Sequence, residues 1–366
     1  MKTKLVFIFL ITFFLGTKAQ VIQSIDAVKG SIGDAEKLTR AYVTPLERGF
    51  GSIGGNGWVN FKNNDKNKTF TFDIGVEFMM GITPEEDRTY DVNNLGLEEI
   101  KPSDPNQTIA QTVSGSSETI WLETKDTYRT PAAGWPPYKD SPLYKFKTPE
   151  GSGYPLTALP LLSAGVNAYG MQLTARILPK LTLSDVSADI SSFGAGFQIN
   201  AFEFIHTFFR KIDKPFGLEL SVLAAYQQTE LNYYPAIYPD TAQYGISLSN
   251  NGTYDNQDFK ILTRSIPIQV IASKQWKVFT FYTGLGYNIT SSEVSLTGNY
   301  PVYANDPSNT AQIIVEDITD PFAYTQTHNE MRFDLGLIFQ YGIIKMRTNY
   351  TFGKYDVANL SIDISF

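Results

Sequence analysis

Cysteine is absent from the sequence. Disulfides, thiolate metal ligands, cysteine nucleophiles and a lipidated N-terminal cysteine are therefore excluded. Histidine is scarce, with His206 and His328 alone, which leaves little material for histidine-dependent catalysis. Charged residues make up 18% and lean acidic, at a net charge of −7. The clustered basic surface that nucleic acid requires is missing. Past residue 20 no stretch reaches the roughly 20 consecutive apolar residues of a membrane-crossing helix. A crossing strand needs only every second residue to be apolar, so this last absence leaves a β-barrel open.

What the sequence holds in quantity is aromatic side chains, 21 Tyr and 25 Phe against 4 Trp. At the start, Lys2 and Lys4 precede the apolar run 5–15, and Thr17 and Ala19 are small residues at a cleavage-site spacing. This predicts a secretory signal peptide over residues 1–19, cut before Gln20; a membrane anchor would need a longer run. Its loss removes Lys2, Lys4 and Lys18 and leaves 27 cations against 37 anions, a net charge of −10.

Residues 20–56 differ from everything after them. Ser31 with Asp34 three residues on is a capping-box-like start, and Ile32, Ala35, Leu38, Tyr42 and Leu46 recur at helical spacing. Pro45 and the glycines Gly49, Gly51, Gly54 and Gly55 are expected to end the helix. The reading is one short amphipathic helix, placed either as a plug in a barrel lumen or as a periplasmic cap.

From Trp58 onward the period changes to two. Phe70, Phe72, Ile74, Val76, Phe78 and Met80 alternate with Thr71, Asp73, Gly75, Glu77 and Met79. The same alternation runs through 169–177, 193–201, 216–226, 279–289, 331–341, 344–352 and 360–366. A soluble sandwich alternates too, with its apolar rows inward. Three features favour an all-β transmembrane antiparallel barrel over residues 57–366. Several segments reach about 10 to 15 residues, suited to a tilted crossing. The polar rows are rich in glycine and uncharged side chains, and aromatics such as Tyr169, Tyr226, Tyr341 and Phe352 sit at strand ends, where an interfacial girdle lies. Tight links near Lys274-Gln275, Gly342 and Gly353-Lys354 contrast with long polar connections at 232–258 and 297–320. About twelve strands are readable. Fourteen fit if the stretch 81–162, otherwise a large loop or a lumen insert with one strand at 118–124, conceals a hairpin.

The polar rows carry Asp73, Glu77, Arg176, Glu219, Arg332, Asp334, Lys345 and Arg347, together with Asp363. Mixed charges on inward rows predict an interior ion-pair network, lining the lumen, rather than an acid–base pair. Both histidines read as rim residues, so a barrel hydrolase is the weakest reading and no catalytic residue is assigned. Asn305-Asp306-Pro307 lacks the spacing of a calcium loop, and Gly54-Gly55-Asn56-Gly57 reads as a turn rather than a phosphate cradle. No metal or cofactor is expected.

The final strand Leu360-Ser361-Ile362-Asp363-Ile364-Ser365-Phe366 resembles the terminal signal of outer-membrane barrels. The resemblance implies that the barrel assembly machinery is a partner and that Phe366 is part of the assembly signal. The passages 34–46, followed by the Gly-rich turn and Gly57-Trp58, and 156–179 resemble an uncharacterised family of Gram-negative outer-membrane barrels known as a domain of unknown function. That family is similar to the barrels that take up long-chain fatty acids and hydrocarbons, which have fourteen strands and an N-terminal hatch. No ligand-site motif of theirs can be matched here, so ligand identity does not carry over. The expectation is an outer-membrane channel or transporter for small solutes, hydrophobic ones included, in contact with outer-membrane lipid. The alternative is a structural or surface-binding barrel acting through long loops such as 232–238 and 299–303.

Overall fold

The computed structural model describes residues 25–61, 70–131, 138–183, 187–209, 217–240, 247–248 and 253–366; the leader and its cut site lie outside them. Ten strands close into an antiparallel barrel: β1 (Phe70–Ile82), β2 (Leu156–Ala168), β3 (Met171–Leu183), β4 (Ala188–Asn200), β5 (Leu218–Tyr233), β6 (Asp258–Trp276), β7 (Phe279–Thr297), β8 (Phe322–Tyr341), β9 (Ile344–Phe352) and β10 (Asp356–Ser365). Each pairs with its sequence neighbour, and β1 closes the ring on β10. At the seam the Phe366 N–H donates to the Phe72 carbonyl at 2.9 Å, and the Phe72 N–H donates back at 2.8 Å. The two rings stack 6.1 Å apart.

The wall is inverted relative to a soluble protein. Along β1, Phe70, Phe72, Ile74 and Met80 are exposed while Thr71, Asp73 and Glu77 are buried. Leu285 is 58% and Ile364 54% exposed, whereas Asn288, Ser361 and Lys345 are fully covered. Large apolar side chains outside and polar ones inside are the arrangement that a hydrocarbon surround selects. The apolar outer rows end at Ile266 on β6, Ile289 on β7 and Met331 on β8. Beyond them Arg264 and Glu293 pair across the outer face at 2.5 Å.

The count of ten corrects the expected twelve to fourteen, for two physical reasons. Strands β6, β7 and β8 run 19, 19 and 20 residues, so alternation over their length covers a crossing and an extramembrane extension. The described residues of 83–155 add no barrel strand; they build small sheets of their own, and the hairpin formed by Asn299–Asp306 and Asn309–Thr319 is likewise separate from the ring. The turn predicted at Lys274-Gln275 falls at 277–278, and the turn at 353–355 belongs to the end that carries the long loops.

Helix α1 (Ile32–Gly54) starts at Ser31, whose side chain accepts from the Asp34 N–H at 3.4 Å. It runs through Pro45 rather than ending there. Lumen packing overrides the local breaker, and Thr44 Oγ1 donates to the Arg40 carbonyl at 2.6 Å in the turn before it. The helix enters at the loop end, where the Asp34 carboxylate accepts the N–H groups of Glu98, Glu99 and Ile100 at 2.9, 2.7 and 2.7 Å. It descends inside the ring against β1, β2, β5, β6, β7, β8 and β10. Residues 57–61, read above as the barrel's opening, continue through the interior before β1 begins at the turn end.

Glycine lets this helix lie against the wall. A Cβ on Gly51 would fall 2.5 Å from Thr290 Cγ2, while one on Gly33, in the first turn, meets nothing within 4 Å. The same substitution is therefore expected to have opposite signs. Gly51→Ala should cost about 1–3 kcal/mol through overpacking, whereas Gly33→Ala should gain about 0.5–1 kcal/mol of helix propensity. Thermal midpoints in detergent check this, and equal shifts for both variants would contradict the packing described.

Candidate functional site: the plug and its charged seat

The last turn of a helix presents carbonyls without intrahelical partners, at the negative end of its dipole. In α1 and the segment after it, the barrel wall supplies those partners. Ser265 Oγ and Asn288 Nδ2 donate to the Gly51 carbonyl at 2.9 and 3.0 Å. Arg332 Nη1 reaches the Ser52 carbonyl at 3.4 Å, and Arg176 Nη1 donates to that of Asn56 at 2.6 Å. Arg347 Nη1 donates to the carbonyls of Gly57 and Val59 at 3.3 and 3.4 Å, and Lys345 Nζ to that of Phe61 at 3.0 Å. Trp58 completes the seat: its ring lies 3.8 Å beneath the Arg176 guanidinium, and its Nε1–H donates to the Gly54 carbonyl at 2.8 Å.

The cations are balanced by carboxylates from the same wall. Glu77 bridges Arg176 at 2.9 Å and Arg347 at 2.6 Å. Arg347 Nε also pairs with Asp363 at 2.8 Å. Lys345 pairs with Asp73 at 2.9 Å, and Asp73 additionally accepts from Asn60 of the plug and from Asn167. Arg332 and Asp334 approach to 3.9 Å, with Gln269 and Thr351 hydrogen-bonded to Asp334. Four cations thus face four carboxylates, all buried. A cluster so removed from water is held only while every member keeps its partner.

Of the residues singled out from sequence, Asp73, Glu77, Arg176, Lys345 and Arg347 come together in one network, with Arg332 and Asp334 beside it. Glu219 does not join them. It lies at the turn end, where its carboxylate accepts the Phe202 N–H at 2.8 Å. Asp363, read with them as a carboxylate of the interior ion-pair network, joins it from β10, where it lies opposite Lys345 on β9. Asn56, Trp58 and Asn60 were missed, because Asn and Gly after a helix read as a turn whatever surrounds them. His206 is on helix α2 (Ala201–Phe208) rather than at a strand end. His328 lies well inside β8, and its Nδ1 accepts from Arg48 Nε at 3.4 Å.

Above the seat, Arg48, Ser52, His328, Glu330, Lys354 and Tyr355 line a cavity of about 220 Å³. Arg48 ties the helix to the loops through Asp87 at 2.5 Å, and Asp87 also receives Lys354 at 3.3 Å and the Tyr355 hydroxyl at 2.9 Å. Among the described residues no group of three or more His, Asp or Glu is placed to hold a metal ion.

Two carboxyls of this upper region titrate in opposite senses. Burial pushes Glu47 up to about 7, against a hydrogen bond from Tyr324 and the charges of Arg40 and Arg48. Burial acts to raise Asp87 too, yet the Tyr355 hydroxyl and the charges of Arg48 and Lys354 hold it below the usual carboxylate range. Raised Glu47 stabilises the folded form at low pH and loses that contribution as pH rises from its unfolded value toward 7; lowered Asp87 contributes above its unfolded value and fails in strong acid. His328, which burial and the charges of Arg48 and Lys354 hold down to about 4, acts in the opposite sense as pH rises through its unfolded value. The preference of plug docking for mild acid is the excess of the Glu47 contribution over this one. The thermal midpoint is expected to be higher at pH 6 than at pH 8.5, and Glu47→Gln should flatten that difference. A Glu47→Gln variant with the parent's slope would rule out Glu47 as its source.

Comparisons with solved structures return barrels of low identity. The chain is similar to the translocator domain of the autotransporter NalP from Neisseria meningitidis, at 10% identity over 82% of this chain and 90% of that one, with a TM-score of 0.26. The outer membrane protease OmpT from Escherichia coli matches at 9% identity over 82% and 98%, with a TM-score of 0.30. The toluene transporter TodX of Pseudomonas putida matches at 7% over 86% and 95%, with a TM-score of 0.26. At such scores none of them lends its activity to this chain. No curated protein matches it. The family of unknown function DUF6588 matches residues 1–366, and the chain belongs to that family.

Proposed function

We propose that this protein is an outer-membrane channel for small solutes, closed at rest by α1 and the segment 55–61. The observation that carries the reading is the nature of the seat. The plug's lower end is held by hydrogen bonds and charges from the wall to its backbone, beside two small apolar clusters, Phe50 and Ile53 with Met79, Leu159 and Leu161, and Trp58 and Val59 with Leu223, Ile271 and Tyr282. Polar contacts of this kind can be exchanged for water one at a time, which lowers the cost of shifting the plug's backbone against the wall. The cavity above it is lined by guanidinium, ammonium, carboxylate and hydroxyl groups, which favours small polar solutes over the hydrocarbons that the family resemblance brings to mind. Short turns lie on the periplasmic side and the long loops outside, as in barrels of this class.

Planar-bilayer conductance tests the reading, by comparing the intact chain with one lacking the plug. Silence in both would refute it. A second reading, a surface-binding barrel, draws on one observation: Trp121, 46% exposed in the loop region, lies between Lys145 and Lys147 at 5.5 and 5.2 Å. An exposed aromatic flanked by cations suits contact with an anionic partner. Trp121→Ala should weaken such contact and leave conductance unchanged.

A further inference from the structure

Three of the four turn-side connections of the barrel are two residues long, at 169–170, 277–278 and 342–343. The fourth, between β4 and β5, is 17 residues and contains α2, Ala-Phe-Glu-Phe-Ile-His-Thr-Phe, followed by Phe209. None of the helix's residues is buried. Phe208 is 53% and Phe209 76% exposed.

These rings are not isolated. Phe204 lies 4.9 Å from Phe208 and 6.2 Å from Phe209. Phe208 lies 6.0 Å from Tyr169, and Tyr169 packs edge-on against Phe70 at 5.5 Å. Phe70 is the first outward residue of β1, so the apolar belt continues off the wall and onto one side of α2. The helix is also fixed in place. Glu219 accepts the Phe202 N–H in its first turn, and the β2–β3 turn lies so close that a Cβ on Gly170 would fall 2.6 Å from the Phe204 nitrogen. In sequence the helix is followed by Arg210, Lys211 and Lys214. An apolar helix face beside basic residues is the composition of a helix lying in a membrane interface.

We propose that α2 is an in-plane anchor, with Phe204, Phe208 and Phe209 inserted into the phospholipid leaflet on the turn side of the barrel. The occupant of this face is lipid because the face is continuous with a belt that already meets lipid. The proposal rests on the reading of the barrel as membrane-spanning.

The absence of cysteine makes the test clean. Single-cysteine variants Phe208→Cys, Phe209→Cys and His206→Cys carry a nitroxide in the full chain, in vesicles of phosphatidylethanolamine and phosphatidylglycerol. Leu285→Cys on the belt and Asn93→Cys on an exposed loop are references. Collision with oxygen, which partitions into lipid, is compared with collision with an aqueous nickel chelate. The ratio at 208 and 209 is expected to be several-fold higher than at 206, which lies about half a turn from 208, and to match that at 285. A ratio at 208 and 209 equal to that at 93 overturns the anchor. Spin–spin broadening at 208 that persists on dilution with lipid also overturns it, since a second copy would then cover the face. A water-like ratio at 285 would instead defeat the membrane reading itself.

Discussion

Removal of residues 25–61 is expected to convert a closed barrel into a conducting one. A helix with its side chains is about 10–12 Å across, so its loss vacates a passage of that order along the axis. The wall keeps four cations and four carboxylates around the vacated space, which retain water rather than collapse as an apolar lining does. Mean conductance should rise at least about tenfold over the intact chain, whose openings need the plug to move. Covalent locking gives the complementary result. A Cβ on Gly54 would lie 3.0 Å from that of Ser265, shorter than the roughly 3.5–4.5 Å that a disulfide spans, so the helix must back off by about half an ångström or more for the bond to form. In a chain otherwise free of cysteine, Gly54→Cys with Ser265→Cys should be silent when oxidised and recover the parent's openings on reduction. If the oxidised form conducts like the parent, the plug is not the gate.

Arg347→Ala should be the most damaging single substitution in the wall. Arg347 is the only group described here that bridges Glu77, Asp363 and the plug backbone at once. Its loss leaves two buried carboxylates short of a partner, and removal of one member from a buried ion cluster typically costs about 3–5 kcal/mol. Arg264→Ala, which breaks an ion pair of similar length on the outer face, should cost under about 1 kcal/mol because both groups stay solvated. Combining Arg347→Ala with Glu77→Gln and Asp363→Asn should recover part of the loss, since the penalty comes from uncompensated charge. Thermal midpoints in detergent rank the variants. Equal effects for Arg347→Ala and Arg264→Ala would mean that the interior is wet and the cluster is not what holds the plug.

The barrel was legible because its signal is local: a strand in lipid alternates at a period of two, as Phe70 to Met80 do. The strand number was not legible. Alternation continues in β7 past Ile289 with its phase reversed, Ser291, Glu293 and Ser295 on the outward row and Val294 and Leu296 buried, so the period alone does not separate crossing from extension and only the phase does. Five of the eight site residues converge on one network because inward-facing charges in a narrow ring have few other partners. Glu219 escaped because a carboxylate at a strand end can instead satisfy a helix N-terminus, a choice set by the neighbouring connection. The lumen course of Asn56 to Phe61 was invisible, since its partners come from strands hundreds of residues away, Arg347 among them. Helix α1 outlasted Pro45 for the same reason: propensity is local and packing is not.

The course of the chain inside the barrel constrains how it is made. The polypeptide traverses the ring from the loop end to the turn end before its first wall strand begins, so it passes through the loop formed when β1 meets β10. That topology arises only if the seam zips up around a segment already in place, or if everything ahead of α1 slips through afterwards. A bulky folded tag fused ahead of residue 25 would be compatible with the first route and would block the second, which makes the order of assembly a question that tag size can answer.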